Sequence, residues 1–321
     1  ETGFTTAGAP VLGVVLGGPL VATIGWQMIF VIQTPLLIGA GILAWKMLPQ
    51  TSRADDVKFD VLGSVSLGLG ATLLLLGVNR GHSWGWTSPL IISCFVASIL
   101  SLWWFVRVER AAEAPLMPLS WLRTPNIIFP IAIQSLLNFA YMGGFIVVPQ
   151  LLEIGLGFSP AHIGWLVIAR PLAFSITAPL ASFFTMRFGE RVSGVVGALA
   201  IVASMVVLGT LNDGASDFII AFGLALSGVG FGIAGPALGA LVANSVDDDT
   251  VGVAGAMQQL LSQMGAVLGS TVMISIHEMT AGSGVVQSYA YALLSGAAAA
   301  VIGTILATRL RSSDRSVERL A

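Results

Sequence analysis

Charge is kept out of long, regularly spaced stretches of this chain, and that restricts what it can fold into more than any other feature. Runs of roughly 20 residues occur at 3–22, 28–48, 61–79, 88–106, 127–149, 161–184, 193–211, 217–243, 252–277 and 289–308, almost without a charged side chain. At 1.5 Å per helical residue, each covers the roughly 30 Å of a bilayer's hydrocarbon core. Only 9% of the 321 residues are charged and the mean hydropathy is +0.90, whereas a soluble domain carries about a quarter charged residues. The runs are too long and too continuously apolar for the alternation of a transmembrane barrel. The pattern predicts an all-α polytopic membrane protein with ten transmembrane helices.

Several function classes drop out. A pI near 5.9 and the absence of a basic run argue against a nucleic-acid footprint. Cys94 is the single cysteine, so no disulfide framework is expected. There is no His/Cys cluster with metal spacing, no phosphate-binding loop and no GxSxG elbow. The expectation is a protein that is not an enzyme and needs no cofactor or metal. The chain opens Glu1-Thr2-Gly3-Phe4, without Met or a signal pattern, as a cut chain would.

Basic residues set an expected orientation. Lys46, Arg53, Lys58, Arg107, Arg110, Arg123, Arg187, Arg191, Arg309, Arg311, Arg315 and Arg319 fall on one set of connections and ends, and Arg80 alone on the other. By the positive-inside rule the first set is cytoplasmic, and with it the C-terminal tail.

Residues 8–35 read as a glycine-studded helix, a tight turn and the start of a second helix. Pro10, Gly13, Gly17 and Gly18 bend the first helix and strip one side of it, so that another backbone can approach. The stretch resembles the antiporter signature GPxxGPxxGG of major facilitator superfamily drug exporters, followed by GWxxIFxINxP. It reads Ala9-Pro10-x-x-Gly13-Val14-x-x-Gly17-Gly18, then Gly25-Trp26-x-x-Ile29-Phe30-x-Ile32-Gln33-x-Pro35. Ala9, Val14 and Gln33 depart from the pattern. GFSPAHIG at 157–164 is similar to a GxSPxxxG stretch of the fourteen-helix drug:proton antiporters. Arg187-Phe188-Gly189-Glu190-Arg191 resembles the superfamily's cytoplasmic DRxGxR signature, with Met186 in place of its Asp; the plain alternative is a basic anchor at the inner membrane edge.

The resemblance implies a major facilitator fold, with ten helices present of an expected fourteen and the first here matching the fifth. On that alignment 1–50 is what remains of an N-terminal bundle and 51–125 a central two-helix insert with cytoplasmic linkers. Residues 126–308 form a six-helix C-terminal bundle of two inverted repeats, and 309–321 a cytoplasmic tail. It also implies a monomeric carrier in the cytoplasmic membrane that exchanges a small-molecule substrate for protons. The family's membrane aspartate would lie in helices absent here.

Candidate pathway residues are the polar ones inside apolar runs. Arg170 is the one charge deep in a span, where an ion by default faces a cavity or a partner, or else is satisfied by neighbouring carbonyls. Gln33, Gln134, Asn138, Gln259 and Gln263 join it; Gln134 and Asn138 share a face, as do Gln259 and Gln263, and Gln258 and Ser262. They line a cavity or bond between helices. His82, His162 and His277 read as hydrated edge residues, and Trp84, Trp86, Trp103, Trp104 and Trp121 as interface belts. Asp60, Glu153 and Glu278 sit at span edges, leaving no deep carboxylate.

The leading expectation is a proton-coupled exporter of amphipathic drugs working by alternating access. The alternatives are an exporter of an endogenous metabolite or lipid precursor on the same fold, and a non-transporting membrane scaffold.

Overall fold

The computed structural model describes residues 25–47, 60–111, 118–212 and 214–310, with the side chains of Trp26, His82 and Asp248 left out. The 3–22 run with Pro10, Gly13, Gly17 and Gly18, the 51–59 connection and residues 311–321 therefore lie outside the described residues, as does the His82 side chain. The described elements are α1 (Trp26–Met47), α2 (Val61–Trp84), α3 (Pro89–Ala111), α4 (Pro125–Gln150), α5 (Pro160–Val167), α6 (Ala169–Gly209), α7 (Asp217–Asn244), α8 (Val251–Met279) and α9 (Val285–Ala307). Among the described residues, eight helical stretches are long and apolar enough to cross a membrane.

Most helices outrun the uncharged stretches that announced them. α3 carries Arg107, Glu109 and Arg110 in its last turns, and α2 carries Arg80. Long charged side chains are tolerated there because they reach the membrane edge from a helical backbone. The Arg107 guanidinium lies 4.6 Å from the centroid of the Trp103 ring.

The region 161–211, expected as the two spans 161–184 and 193–211 with Arg187–Arg191 between them, does make two passes. The chain breaks first at Ile168, between α5 and α6: Pro171 has no N–H to offer the Val167 carbonyl, so α5 stops there. It breaks again at Gly189, whose φ of 84° and ψ of 161° are open to glycine and strained for other residues. Beyond Gly189 the chain turns back. Thr185 Oγ1 and Ser193 Oγ lie 2.9 Å apart, whereas eight residues along a straight helix would separate them by about 12 Å. The connection is thus one glycine, flanked by exposed Arg187 and Arg191.

Glycine contacts fix helix directions. Gly228 of α7 sits on the backbone of Arg170 and Phe174, and Gly232 on Thr177 and Ala178, so the 169–188 arm of α6 runs parallel to α7. Gly223 meets Leu208 and Gly230 meets Gly197 and Ile201, so the 190–209 arm runs antiparallel. By the same reading α4 and α8 are parallel, Gly265 meeting Ser135 and Gly269 meeting Phe139, while α9 opposes both, with Gly303 beside Leu136 and Leu137. From residue 125 onward the chain therefore makes six passes around one core, in which Leu137, Val147, Ile201, Met205, Leu238 and Leu293 are fully buried.

One expectation about an edge residue is corrected. Trp121 is 8% exposed and belongs to a second, smaller core with Ile127, Ile131, Val242 and Met257, so it is packed rather than a belt residue. His162 and His277 are partly exposed near helix ends, as expected, and each also has a polar partner. His162 Nε2 lies 2.8 Å from Asp217 Oδ2, and His277 Nδ1 lies 2.8 Å from Ser288 Oγ with its ring stacked on Tyr289. Trp84, Trp86, Trp103 and Trp104 are exposed, as a belt requires.

Candidate functional site

The site is built on one face of α4. Gln134, Asn138, Tyr141 and Phe145 follow one another at spacings of four, three and four, which stacks them along a single helical stripe. The lower half of the stripe faces α8. Gln258 Nε2 donates to Gln134 Oε1 at 2.9 Å, and Asn138 Nδ2 donates to the Ser262 carbonyl at 2.9 Å and to its Oγ at 3.0 Å. Ser135 Oγ adds a bond to the Leu261 carbonyl at 2.8 Å. These bonds are short because Gly265 and Gly269 let the α4 backbone come to where a Cβ would otherwise stand.

The upper half of the stripe meets Arg170, which is 1% exposed and among the largest fully buried side chains. Its Nε donates to Ser227 Oγ at 2.9 Å and its Nη1 to the Tyr141 carbonyl at 3.1 Å. The guanidinium carbon is 5.0 Å from the centroid of the Tyr141 ring and 5.8 Å from that of Phe145, close enough for cation–π attraction. Nη2 has no hydrogen-bond partner among the described residues. It points past Gly144, where an added Cβ would stand 3.3 Å from it. The aromatic surface continues as Tyr141 stacks on Phe231 at 4.8 Å, and Phe174 follows at 6.3 Å from Phe231. Tyr141 is about 24 Å along the helix axis from Pro125 and roughly 21 Å from the far end of the 125–155 stretch. Arg170 is therefore held deep in the bundle, at the junction of α4, α6 and α7.

This arrangement joins five of the residues singled out in the sequence: Gln134 and Asn138 on the stripe, and Arg170, Gln258 and Ser262 against it. It does not join the others. Gln259 and Gln263 are exposed on α8, a residue on from the Gln258 and Ser262 that do bond to α4. Gln33 is exposed on α1, all of whose described side chains are exposed or half-exposed. Gln134 and Asn138 themselves act as interhelical hydrogen-bonding groups. Sequence reasoning missed Tyr141, Phe145 and Ser227. The first two continue the Gln134–Asn138 spacing and were detectable; Ser227 lies in a string of small residues with nothing to distinguish it.

The bundle thus combines six passes of alternating direction, glycine-tight crossings and a deep cation. The sequence profile of the Major Facilitator Superfamily matches residues 131–320. The chain belongs to the Major Facilitator Superfamily. As a member of it, the protein is a multi-pass membrane protein, and the matched region takes in nearly all of α4 through α9. It is 28% identical over 273 residues to the tetracenomycin C resistance and export protein of Streptomyces glaucescens, an alignment covering 84% of this chain and 50% of that protein. It is 24% identical to the multidrug transporter protein MdtP of Bacillus subtilis, over 86% of this chain and 51% of that one. It is 27% identical to the methylenomycin A resistance protein of Bacillus subtilis, over 82% and 57%. The chain spans about half the length of these curated relatives.

Proposed function

We propose that this chain is the larger part of a fourteen-helix drug:proton antiporter that exports small amphipathic compounds by alternating access. In this reading 126–308 is the C-terminal bundle, 51–125 the central insert and 1–50 the end of the N-terminal bundle, with the coupling carboxylate elsewhere in the longer protein. Arg123, Arg187, Arg191 and Arg309 mark the same end of the six-pass bundle, which supports a cytoplasmic assignment for that end and for the C-terminus. The names of the relatives, an antibiotic exporter and a multidrug transporter among them, support export as the direction.

The observation that carries the reading is Arg170. An intramembrane cation costs about 2.5–3.5 kcal/mol even on lenient insertion scales. Here one hydroxyl, one carbonyl and two aromatic faces hold it, and Nη2 is left over. A residue kept only for packing would not need a charge. Arg170 is placed to meet an anionic or carbonyl group of the substrate, or an acidic side chain of the other bundle, during the transport cycle. A favoured anionic moiety would shift the substrate toward an endogenous metabolite, and the same test bears on both.

In the full-length protein, Arg170→Gln should lower transport per molecule in the membrane at least tenfold, and Arg170→Lys should keep a measurable fraction, because it retains the charge without the planar fork. Transport is measured in vesicles and divided by membrane protein. Undiminished specific transport by the Gln variant would overturn the role.

A further inference from the structure

Two recesses lie side by side where the α2–α3 hairpin meets the six-pass bundle. One, of about 650 Å³, is lined by Val106, Arg110, Leu119, Ser120, Leu122 and Arg123. The other, of about 480 Å³, runs between α2 and α8 and has an apolar lining that includes Leu67, Gly68, Val253, Met257 and Leu260. Leu122 lines both, so the two recesses are neighbours that share this side chain.

Their depths differ in the way a lipid molecule requires. Arg110 is one residue from the end of α3, and Arg123 two residues before the start of α4, which puts both guanidinium groups at the membrane edge. The apolar recess starts near the first turns of α2 and α8 and reaches Gly68 and Leu261. Ten residues of α8, from 251 to 261, descend about 15 Å, half of a hydrocarbon core. Among the described residues that line the basic recess, two are arginines and none is a carboxylate.

We propose that these recesses form one binding site for an anionic phospholipid of the adjoining leaflet. Its phosphate sits between Arg110 and Arg123, with Ser120 donating a hydrogen bond, and an acyl chain lies along the groove of Leu67, Gly68, Val253 and Leu260. Basic recesses between membrane helices hold lipid phosphates through paired charge and hydrogen bonding. The apolar groove alone would not select a headgroup; the two arginines at its mouth do. The lipid also becomes part of the joint between hairpin and bundle. This site is independent of the transport reading, since binding is measured without turnover.

The test uses full-length protein stripped of lipid, then titrated with phosphatidylglycerol or phosphatidylcholine and examined by native mass spectrometry. Phosphatidylglycerol should be retained in preference to phosphatidylcholine. The double variant R110A/R123A should weaken its retention roughly thirtyfold, as expected for two surface cations. Gly68→Leu, at a position where an added Cβ meets nothing within 4 Å, should fold normally and weaken retention by filling the groove. Equal retention of the two lipids, or unchanged retention in R110A/R123A, would overturn the proposal. A bimane fluorophore on Leu67→Cys provides a second readout. Quenching by brominated phosphatidylglycerol, reduced in R110A/R123A, supports lipid in the groove; no quenching by any brominated lipid means that polypeptide fills it and sinks the idea.

Discussion

The α2–α3 hairpin and the six passes from residue 125 onward are both held in an apolar solvent, yet they are assembled differently. In the hairpin, hydroxyls reach across to carbonyls: Ser98 Oγ to Gly70 at 2.7 Å and Ser101 Oγ to Ser66 at 2.8 Å. Its glycines face side chains that can move, Gly70 against Leu102 and Gly77 against Phe95. Ile99, Leu100, Trp103 and Trp104 stay exposed on its outside. In the bundle several glycines face backbone. Gly228 lies on the Arg170 carbonyl, Gly197 on that of Gly230, and Gly269 on that of Phe139. Amides and a guanidinium are buried between its helices. Because lipid is as apolar as leucine, burial of apolar surface adds little between membrane helices, and close backbone packing with interhelical hydrogen bonds takes its place. The bundle uses both extensively, and it is there that a costly charge can be held in one orientation.

The largest test of that contrast compares two arginines. Arg170→Gln removes the buried charge and should abolish most transport, whereas Arg107→Gln, at the lipid edge beside Trp103, should leave transport per molecule within about twofold. Equal losses in both would mean that overall charge, rather than the buried site, matters.

Next come the glycines. A Cβ at Gly228 would strike the Arg170 carbonyl and the Phe174 backbone, so Gly228→Ala should cost about 3 kcal/mol or more, at the upper end for overpacking. Gly70→Ala meets mainly the Leu102 side chain, with the Leu102 backbone N at 3.3 Å, and should cost about 1 kcal/mol, at the low end of that range. Unfolding in mixed detergent micelles ranks the two, and a reversed order would break the distinction between backbone and side-chain contact.

A conformational test is smaller. Gly189→Ala forces a side chain onto φ 84°, ψ 161° and should cost about 1–3 kcal/mol. The loss should appear as reduced protection from amide exchange around 185–193, where the two arms of α6 join. Unaltered exchange there would show that the turn tolerates a Cβ.

The smallest effects belong to single hydrogen bonds. A double-mutant cycle on Gln134→Leu and Gln258→Leu should give a coupling of about 0.6 kcal/mol and no more than about 1.7. Ser98→Ala in the hairpin should cost about the same. A coupling near zero would mean that the two amides pack without a productive bond.

Much of this molecule is a property of local sequence. A run of twenty uncharged residues crosses a membrane wherever it sits, so the membrane class and most of the spans could be read directly, and GWxxIFxI-type strings carried the superfamily resemblance. The 161–211 region was legible as two spans, but not that the reversal between them rests on one positive-φ glycine, Gly189. Which side of each helix faces protein was a different matter. In water, apolar periodicity marks the buried face; in lipid both faces are apolar, and that signal disappears. Gln258 and Gln259 are adjacent and identical in type, yet one is bonded to Gln134 and the other is exposed. Trp121 looked like a belt residue and is packed in a core. Arg170 announced itself by its charge alone, but Ser227, the Tyr141 carbonyl and the space beside Gly144 were assigned to it only when α4, α6 and α7 came together, since nothing within one helix specifies a partner on another.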